Sequence, residues 1–510
     1  MGTYRQPRRR TGAAGGGSPD TARRDIARHS DRPRRAAYDV LAAVEDRAAY
    51  ANLLLPRLLA ERSITGRDAA LATELAYGTL RGQGTYDAVL AACSDRPLDR
   101  LDPPVRHVLR LGAHQLLATR VGAHAAVATS VDLVKAVAGP RASGYVNAVL
   151  RRVATRDLDA WLALVAPDPA TDPDGDLAVR YSHPRWIVSA YRDALGAGAG
   201  PGELAEALAA GNARPRVTLA TFPGGPPPAE VMPEDATPGR WSPYAFTLMS
   251  GDPSPLIESG QAAVQDEASQ LAAIALSRAP LAANPADAAG PGDQGPARPE
   301  RWLDVCAGPG GKSRLLRGLA AVGPDSSAAV GPDRPAAGAA LIAAELHPHR
   351  AVLVAEALTR VPVQSAPFEV IVADGTRPPW PDGGFDRVLV DVPCSGLGAL
   401  RRRPEARWRK SRADIPALAQ AQRALLRSAL AACRPGGVVA YVTCSPVPEE
   451  TRDVVAAVVA ATPGVEILDA PRVLGDVPDT RSPSPQFVQM WPHRHGTDAI
   501  FIALLRRGTQ

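Results

Sequence analysis

Cys394 and Cys444 are the residues of this 510-residue chain placed best for covalent chemistry. Each follows an apolar run, VLVDVPCSG in one case and VVAYVTCS in the other, and each is followed by serine. A thiol ionises far more readily than a hydroxyl, and the thiolate is a strong nucleophile. Asp391 stands three residues before Cys394, so a carboxylate accompanies one thiol. A third segment, RWLDVCAGPGGK over residues 301–312, joins an apolar run to the turn Gly308, Pro309, Gly310, Gly311. A helix is expected to begin at about Lys312. A glycine turn opening a helix offers backbone N–H groups to a ligand. Glycine suits it because the chain must approach that ligand closely and adopt positive φ.

These residues need a scaffold that brings three distant segments together. Continuous apolar runs are the mark of strands covered on both faces. In an open doubly wound sheet, ligands sit at the carboxyl ends of the strands. One glycine turn and two thiols are therefore expected to converge on one cleft. The fold class expected is α/β.

Totals set bounds. The formal charge is +5, which permits a nucleic-acid partner without requiring one. Five cysteines, at 93, 306, 394, 433 and 444, form an odd set with no CxxC pair. That pattern points to reduced thiols in a cytoplasm and to no metal site. Cys433 and the Cys306 side chain are expected to be core residues. No apolar run is long enough for a membrane span, and the basic N-terminus lacks an apolar secretory core.

Residues 1–30, rich in arginine and glycine, read as a disordered basic tail. Helical periodicity fills 32–158, with Val105, Val108, Leu109 and Leu116 on one face and Pro103 and Pro104 suited to a first turn. Arg81, Arg151 and Arg152 are read as ordinary surface charges that could also meet phosphates. A proline- and aspartate-rich stretch, 166–176, reads as a linker. Low-complexity insertions are expected near 279–299 and 322–338.

LDVCAGPGGK, DVPCSGLG and YVTCS, in this order, resemble the RsmB/Sun (Fmu)-type RNA cytosine-5 methyltransferases. The likeness covers roughly 32–158 and 178–508. It implies a Rossmann-like class I S-adenosylmethionine-dependent methyltransferase domain over 259–508. It implies an all-α NusB-like RNA-binding domain over 32–158, for which ELAYGTLR and NAVLRR carry the resemblance, and a small α/β connecting subdomain over 178–258. The segment GQAAVQDEASQ at 260–270 resembles the family's lead-in to the catalytic domain.

The resemblance also implies roles. Cys444 would be the nucleophile, Cys394 would assist product release, and Asp391 would lie near cofactor and target base. S-adenosyl-L-methionine would be held by Cys306, Ala307, Gly308, Pro309, Gly310, Gly311 and Lys312, with Asp374 beside the adenine. Glu345, an acid closing the second strand, would bind the ribose hydroxyls, where the family commonly has Asp. Arg350 would pair with Glu345. The loop 400–410, with six cations and Trp408, would suit phosphate contacts plus a stacking face. His493, His495 and Asp498 belong to a C-terminal motif in which DAIF stands for the family's DGFF. The expected substrate is ribosomal RNA, most simply 16S. A transfer-RNA enzyme and a noncatalytic RNA-binding assembly factor are the alternatives. A monomer with no membrane partner is expected.

Overall fold

The computed structural model describes residues 31–282, 299–322, 339–361, 366–475 and 477–509. The expected tail and nearly all of the two expected insertions lie outside these residues. The chain forms two compact units, Met1–Val165 and Ala166–Gln510.

The first unit is helical, with helices Arg32–Asp46, Ala51–Glu61, Gly66–Cys93, Pro103–Ala118, Ala123–Val137, Ser143–Val153 and Leu158–Val165 among its described residues. Their apolar faces enclose Val40, Leu75, Val108, Leu109, Leu111 and Leu150. Pro103 opens its helix where a missing N–H costs nothing. A buried hydrogen bond of 2.8 Å joins the Tyr86 hydroxyl to His114 Nδ1. Burial pushes His114 down to about 4, so it sits uncharged in the core at neutral pH. The bundle runs on past 158 to Val165, where Trp161 Nε1 donates to the Val153 carbonyl. Arg152 pairs with Asp95 at 3.0 Å in the open, a contact of small energetic weight.

The second unit begins with helices Pro173–Arg180, Arg185–Leu195 and Glu203–Gly211. The stretch expected as a linker thus already contains a helix start. Asp172 caps it, its Oδ1 accepting the Gly175 N–H at 2.9 Å, with Pro173 in the first turn. Proline and aspartate are helix-start residues as much as loop residues, and here the former role prevails.

Strands β1 (Val217–Ala220), β2 (Thr237–Pro238), β3 (Ala245–Leu248) and β4 (Ala263–Val264) make an antiparallel sheet in the order β2-β3-β1-β4. Leu219 opposes Phe246 across β1 and β3. Because β4 pairs with β1, the small sheet reaches beyond the boundary expected at 258.

The main sheet comprises β5 (Arg301–Asp304), β6 (Ala340–Glu345), β7 (Phe368–Val372), β8 (Phe385–Asp391), β9 (Cys433–Thr443), β10 (Val465–Leu468), β11 (Val488–Gln489) and β12 (Phe501–Arg507). Its order is β10-β12-β9-β8-β5-β6-β7, with β11 beside β12. The five strands β9, β8, β5, β6 and β7 are parallel, while β12 runs antiparallel to β9. Helices Glu267–Arg278, Gly311–Val322 and Pro348–Thr359 pack on one face, with Leu341, Ala343 and Leu389 beneath them. Helices Ile415–Ala432 and Arg452–Ala460 cover the other, over Val388, Val390 and Val439. Both faces are buried, which is why β8 and β9 read as unbroken apolar runs. Cys433 starts β9 fully buried, its thiol pushed up to about 12 by burial, as a core residue should be.

The loop 400–410 departs from expectation. Arg407 has no exposed surface and donates to the Ser182 carbonyl at 2.9 Å and to Asn212 Oδ1 at 2.6 Å. Arg401 donates to the Gly496 carbonyl at 2.8 Å and pairs with Asp266 and Asp498, while Arg402 pairs with Asp498. Arg401 and Arg407, both buried, therefore hold the fold together and are not offered to phosphates, while Arg402 is tied to Asp498 with part of its side chain exposed. Asp266 and Asp498 are buried, and charges of this kind are tolerated in the interior only in pairs. Arg407→Met should lower the stability of this unit by about 2–4 kcal/mol, because Asn212 Oδ1 and the Ser182 and Gly211 carbonyls lose a buried donor. Urea unfolding of the two proteins checks this. An unchanged midpoint would mean that the guanidinium contributes nothing to stability.

Candidate active site

The strand order places the topological switch point between β5 and β8, since the chain winds from β5 toward β7 on one side and from β8 toward β9 on the other. That crevice is the ligand position of a doubly wound sheet. The glycine turn follows β5, and Asp391 ends β8 beside it.

The turn is tight and self-braced. The Gly310 N–H donates to the Ala307 carbonyl at 2.7 Å, and the Ala307 N–H to the Ala344 carbonyl at 2.9 Å on β6. The Gly308–Pro309 bond is cis, and Gly310 has φ +99°. A Cβ on Gly308 would lie 2.1 Å from Glu345 Oε2, so the space beside it belongs to that carboxylate. Glu345 is buried and accepts the Gly308 N–H at 3.1 Å and the His347 N–H at 3.0 Å. Arg350 lies 3.7 Å from Glu345 and donates to the Gly308 carbonyl at 2.8 Å. Gly311 opens the helix that carries Lys312.

Beneath the turn, Asp304 closes β5. Its Oδ2 accepts the Ser313 hydroxyl at 2.7 Å, tying strand to helix. Burial pushes Asp304 up to about 7, opposed by Ser313 and reinforced by Asp391. Burial likewise raises the Cys306 thiol well above its ordinary range, so that residue is no nucleophile.

Lys312 Nζ sits 2.7 Å from Asp391 Oδ2. Burial works against the ammonium, but Asp391 outweighs it, with Cys444 and Asp304 adding, and the Lys312 pKa is raised. Beyond Asp391, the Val392 N–H still pairs with the Val442 carbonyl at 3.0 Å before both chains turn out of the sheet. The Cys394 and Cys444 sulfurs then lie 3.2 Å apart. The hydrogen bond from Cys394 holds Cys444 below the usual thiol range, with help from Lys312 and against burial, Asp391 and Asp498. The same bond, burial and the charges of Cys444 and Glu450 push Cys394 well above that range. The two sulfurs are thus pulled in opposite directions, Cys444 toward the thiolate and Cys394 toward the thiol.

The cysteine loop after β8 folds back on the other. The Gly398 N–H donates to the Cys444 carbonyl at 2.8 Å, and the Ala499 N–H to the Gly398 carbonyl at 2.9 Å. A Cβ at 398 would meet the Ala499 oxygen at 1.9 Å and the Cys444 oxygen at 2.8 Å, so only glycine fits.

Lys312, Asp391, Cys394 and Cys444 therefore meet in one place, with the turn, Glu345 and Arg350 next to it. Asp374 is exposed and directly follows Ala373, whose N–H donates to the Glu345 carbonyl at 3.1 Å, and its Oδ1 accepts the Thr376 N–H at 2.9 Å and hydroxyl at 2.7 Å. His493 and His495 are engaged elsewhere: His493 Nε2 lies 3.0 Å from Glu203 Oε1, and His495 is bonded to backbone atoms. Sequence reasoning assigned no individual role to Asp304, Asp266 or Glu450. An acid in a buried strand and acids beside apolar helix starts were the available signals.

The structure is similar in fold to the crystal structure of PH0851, with a TM-score of 0.71 over 93% of this chain and 99% of that one, at 20% identity. Residues 31–155 match the NusB family, and residues 295–506 match the family described as 16S rRNA methyltransferase RsmB/F. With its ligand turn at the switch point, the second unit is thus that of an S-adenosylmethionine-dependent RNA methyltransferase. A Mycobacterium tuberculosis protein with a provisional methyltransferase name is 48% identical over 482 residues, covering 94% of this chain and 97% of its own. Ribosomal RNA small subunit methyltransferase B of Pseudomonas syringae pv. tomato is 32% identical over 485 residues, covering 93% and 96%. The chain belongs to the RsmB/F family. Among the described residues no helix is long and apolar enough to cross a membrane.

The buried Asp304 makes stability depend on pH. Its folded pKa of about 7 exceeds the unfolded value near 3.9, so the folded state binds more protons between them. Its contribution is complete below about pH 4 and is lost as pH rises through 7, by about 4 kcal/mol at most. Asp304→Asn, which keeps an acceptor for Ser313, should flatten that decline. Urea midpoints at pH 5 and pH 8 decide it; equal slopes for both proteins would reject the assignment.

Proposed function

We propose that this protein methylates C5 of a cytosine in small-subunit ribosomal RNA through a covalent adduct between Cys444 and C6 of the base. The observation that carries this reading is the 3.2 Å contact between two thiols of opposite tendency, beside the Lys312–Asp391 pair. The names of the relatives support the RNA substrate, and the NusB match supports the helical unit as its grip.

The residues around the turn fit S-adenosylmethionine. Gly308 leaves the Glu345 carboxylate room beside the backbone, and an acid ending the second strand offers acceptors to ribose hydroxyls. Residues 306–312, Glu345, Arg350, Asp374 and Asp391 are the set assigned to hold it. When bound, it supplies an electrophilic sulfonium methyl.

Cytosine C5 is a poor nucleophile until C6 is attacked. Cys444, favoured as thiolate, adds to C6, and the electron pair moves to C5, splitting one hard step into easier ones. Asp391, paired with Lys312, would accept from the amino group on the cytosine edge, and the Lys312 ammonium supplies the positive charge that opposes negative charge building on the ring. After methylation, a base takes the C5 proton, the C6–Sγ bond breaks, and its electron pair returns to Cys444. The Cys394 thiol, 3.2 Å away in the free protein, then donates to the departing sulfur. An RNA cytosine reaches such a cleft only when unpaired or flipped.

Tritium transfer from labelled cofactor to RNA tests the assignment. Cys444→Ala should lower the rate by about a thousandfold or more, the scale of losing a nucleophile. Cys394→Ala should still attack the base but release it slowly, so a protein–RNA adduct accumulates on denaturing gels. Full activity in the first variant would reject the nucleophile; an adduct-free second variant would reject the release role.

A further inference from the structure

Behind the thiols lies a carboxylate that the chemistry above does not use. Glu450 has no exposed surface. Its Oε2 accepts the Ser395 hydroxyl at 2.5 Å and the Ser445 hydroxyl at 2.6 Å. Its Oε1 accepts the Ser395 N–H at 2.8 Å and the Gln422 amide at 3.0 Å. Gln422 also donates to the Pro393 carbonyl at 3.0 Å, and the Tyr441 hydroxyl to the Glu450 carbonyl at 2.7 Å. Ser395 and Ser445 are the residues directly after Cys394 and Cys444, and their hydroxyls are 3.1 Å apart. One oxygen atom thus receives a hydrogen bond from each cysteine loop.

We infer that Glu450 is a positioning residue that locks the loop of Cys394 to the loop of Cys444, so that the two thiols work as one unit. The inference rests on the roles given to the cysteines above. The Gly398 N–H to Cys444 carbonyl bond joins the two loops on one side of the thiols, but a single hydrogen bond between sulfurs is too weak to fix their mutual placement on the other. Charge-assisted hydrogen bonds in a dry interior are short and strong enough to do so. Placement matters as well. The Glu450 carboxylate acts on Cys394, where it opposes a second negative charge, while Lys312 favours the charge on Cys444. The carboxylate therefore helps decide which sulfur keeps the shared proton.

The full-length protein carrying Glu450→Gln tests this. The substitution keeps the side-chain shape and removes the charge. Two readouts are taken: the ratio of iodoacetamide labelling at Cys444 to that at Cys394, located by mass spectrometry without RNA, and kcat and KM in the tritium assay. Wild-type protein should label mainly at Cys444. In the variant that preference should fall by about tenfold, the effect of one unit of differential ionisation. Its kcat should fall by about ten- to a hundredfold with both KM values held within about twofold, as a misplaced reacting group implies. Wild-type labelling preference together with wild-type kcat would overturn the inference.

If Glu450→Gln does not fold, Ser445→Ala and Ser395→Ala each remove one tie and leave the carboxylate in place. The first should slow adduct formation and the second should prolong the adduct. Wild-type behaviour in both would also overturn it. The labelling ratio needs no catalysis, so a failed Cys444 assignment in the tritium assay is distinguishable from a failed role for Glu450.

Discussion

β8 and β9 run parallel with Asp391 opposite Val442, and the pairing persists one residue further through the Val392 N–H. Every feature of the cleft hangs on that register. It sets Cys394 three residues beyond one strand end and Cys444 one residue beyond the other, close enough for sulfur to meet sulfur. A slip of a single residue would turn each side chain to the opposite face and part them. The antiparallel neighbour β12 adds the third wall. Phe501 opposes Thr443, and from just before β12 Ala499 clamps Gly398 under Cys444. Gly398 admits no Cβ because backbone oxygens from two chain segments already fill that space. The thiol pair is thus the outcome of sheet geometry, and the hydroxyl–carboxylate ties behind it refine a contact the strands have brought within reach.

Electrostatics then separates two residues of the same type. Asp304, Asp391 and Glu345 crowd one end of the sheet with Lys312 and Arg350 as the nearby cations. Burial alone raises carboxyl and thiol pKa values alike. It does so at Asp304 and Cys306, and at Cys394 it adds to the rise caused first by the bond to Cys444. Cys444 goes the other way because a neighbouring thiol donates to it and an ammonium faces it. Lys312 is shared between a carboxylate and that sulfur, so it links Asp391 to the cysteine proposed as nucleophile.

What the sequence disclosed was whatever is local. The glycine turn, the apolar strands and the order of the three motifs are contiguous stretches, and they were enough for a doubly wound sheet and its ligand end. The helical periodicity of residues 32–158 was equally plain, although the bundle's last helix and the Asp172-capped helix lay outside the limits drawn. Both misses have one cause: proline and aspartate open helices as readily as they fill loops. The pairings that bury charge were out of reach. Arg407 with Asn212, Arg401 with Asp266 and Asp498, and Glu450 with Ser395 and Ser445 join residues far apart or give ordinary surface types a buried role. A run of cations such as 400–410 looks like a phosphate-binding loop because a sequence does not show which charges fold inward.

That misreading bears on how the protein holds RNA. The chain has 58 basic against 53 acidic residues. Residues 1–30 alone carry seven arginines and two aspartates, so the remainder holds 51 of each sign. The whole formal surplus of +5 lies in those first thirty residues. Long-range attraction to a phosphate backbone depends on net positive charge and falls off within a Debye length of about 10 Å at 0.1 M salt. Residues 31–510 have no such surplus to spend, and several of their arginines are committed to buried partners. Attraction of RNA by residues 31–510 must then depend on where their charges are placed and not on their sum. The net positive charge itself resides in the first thirty residues.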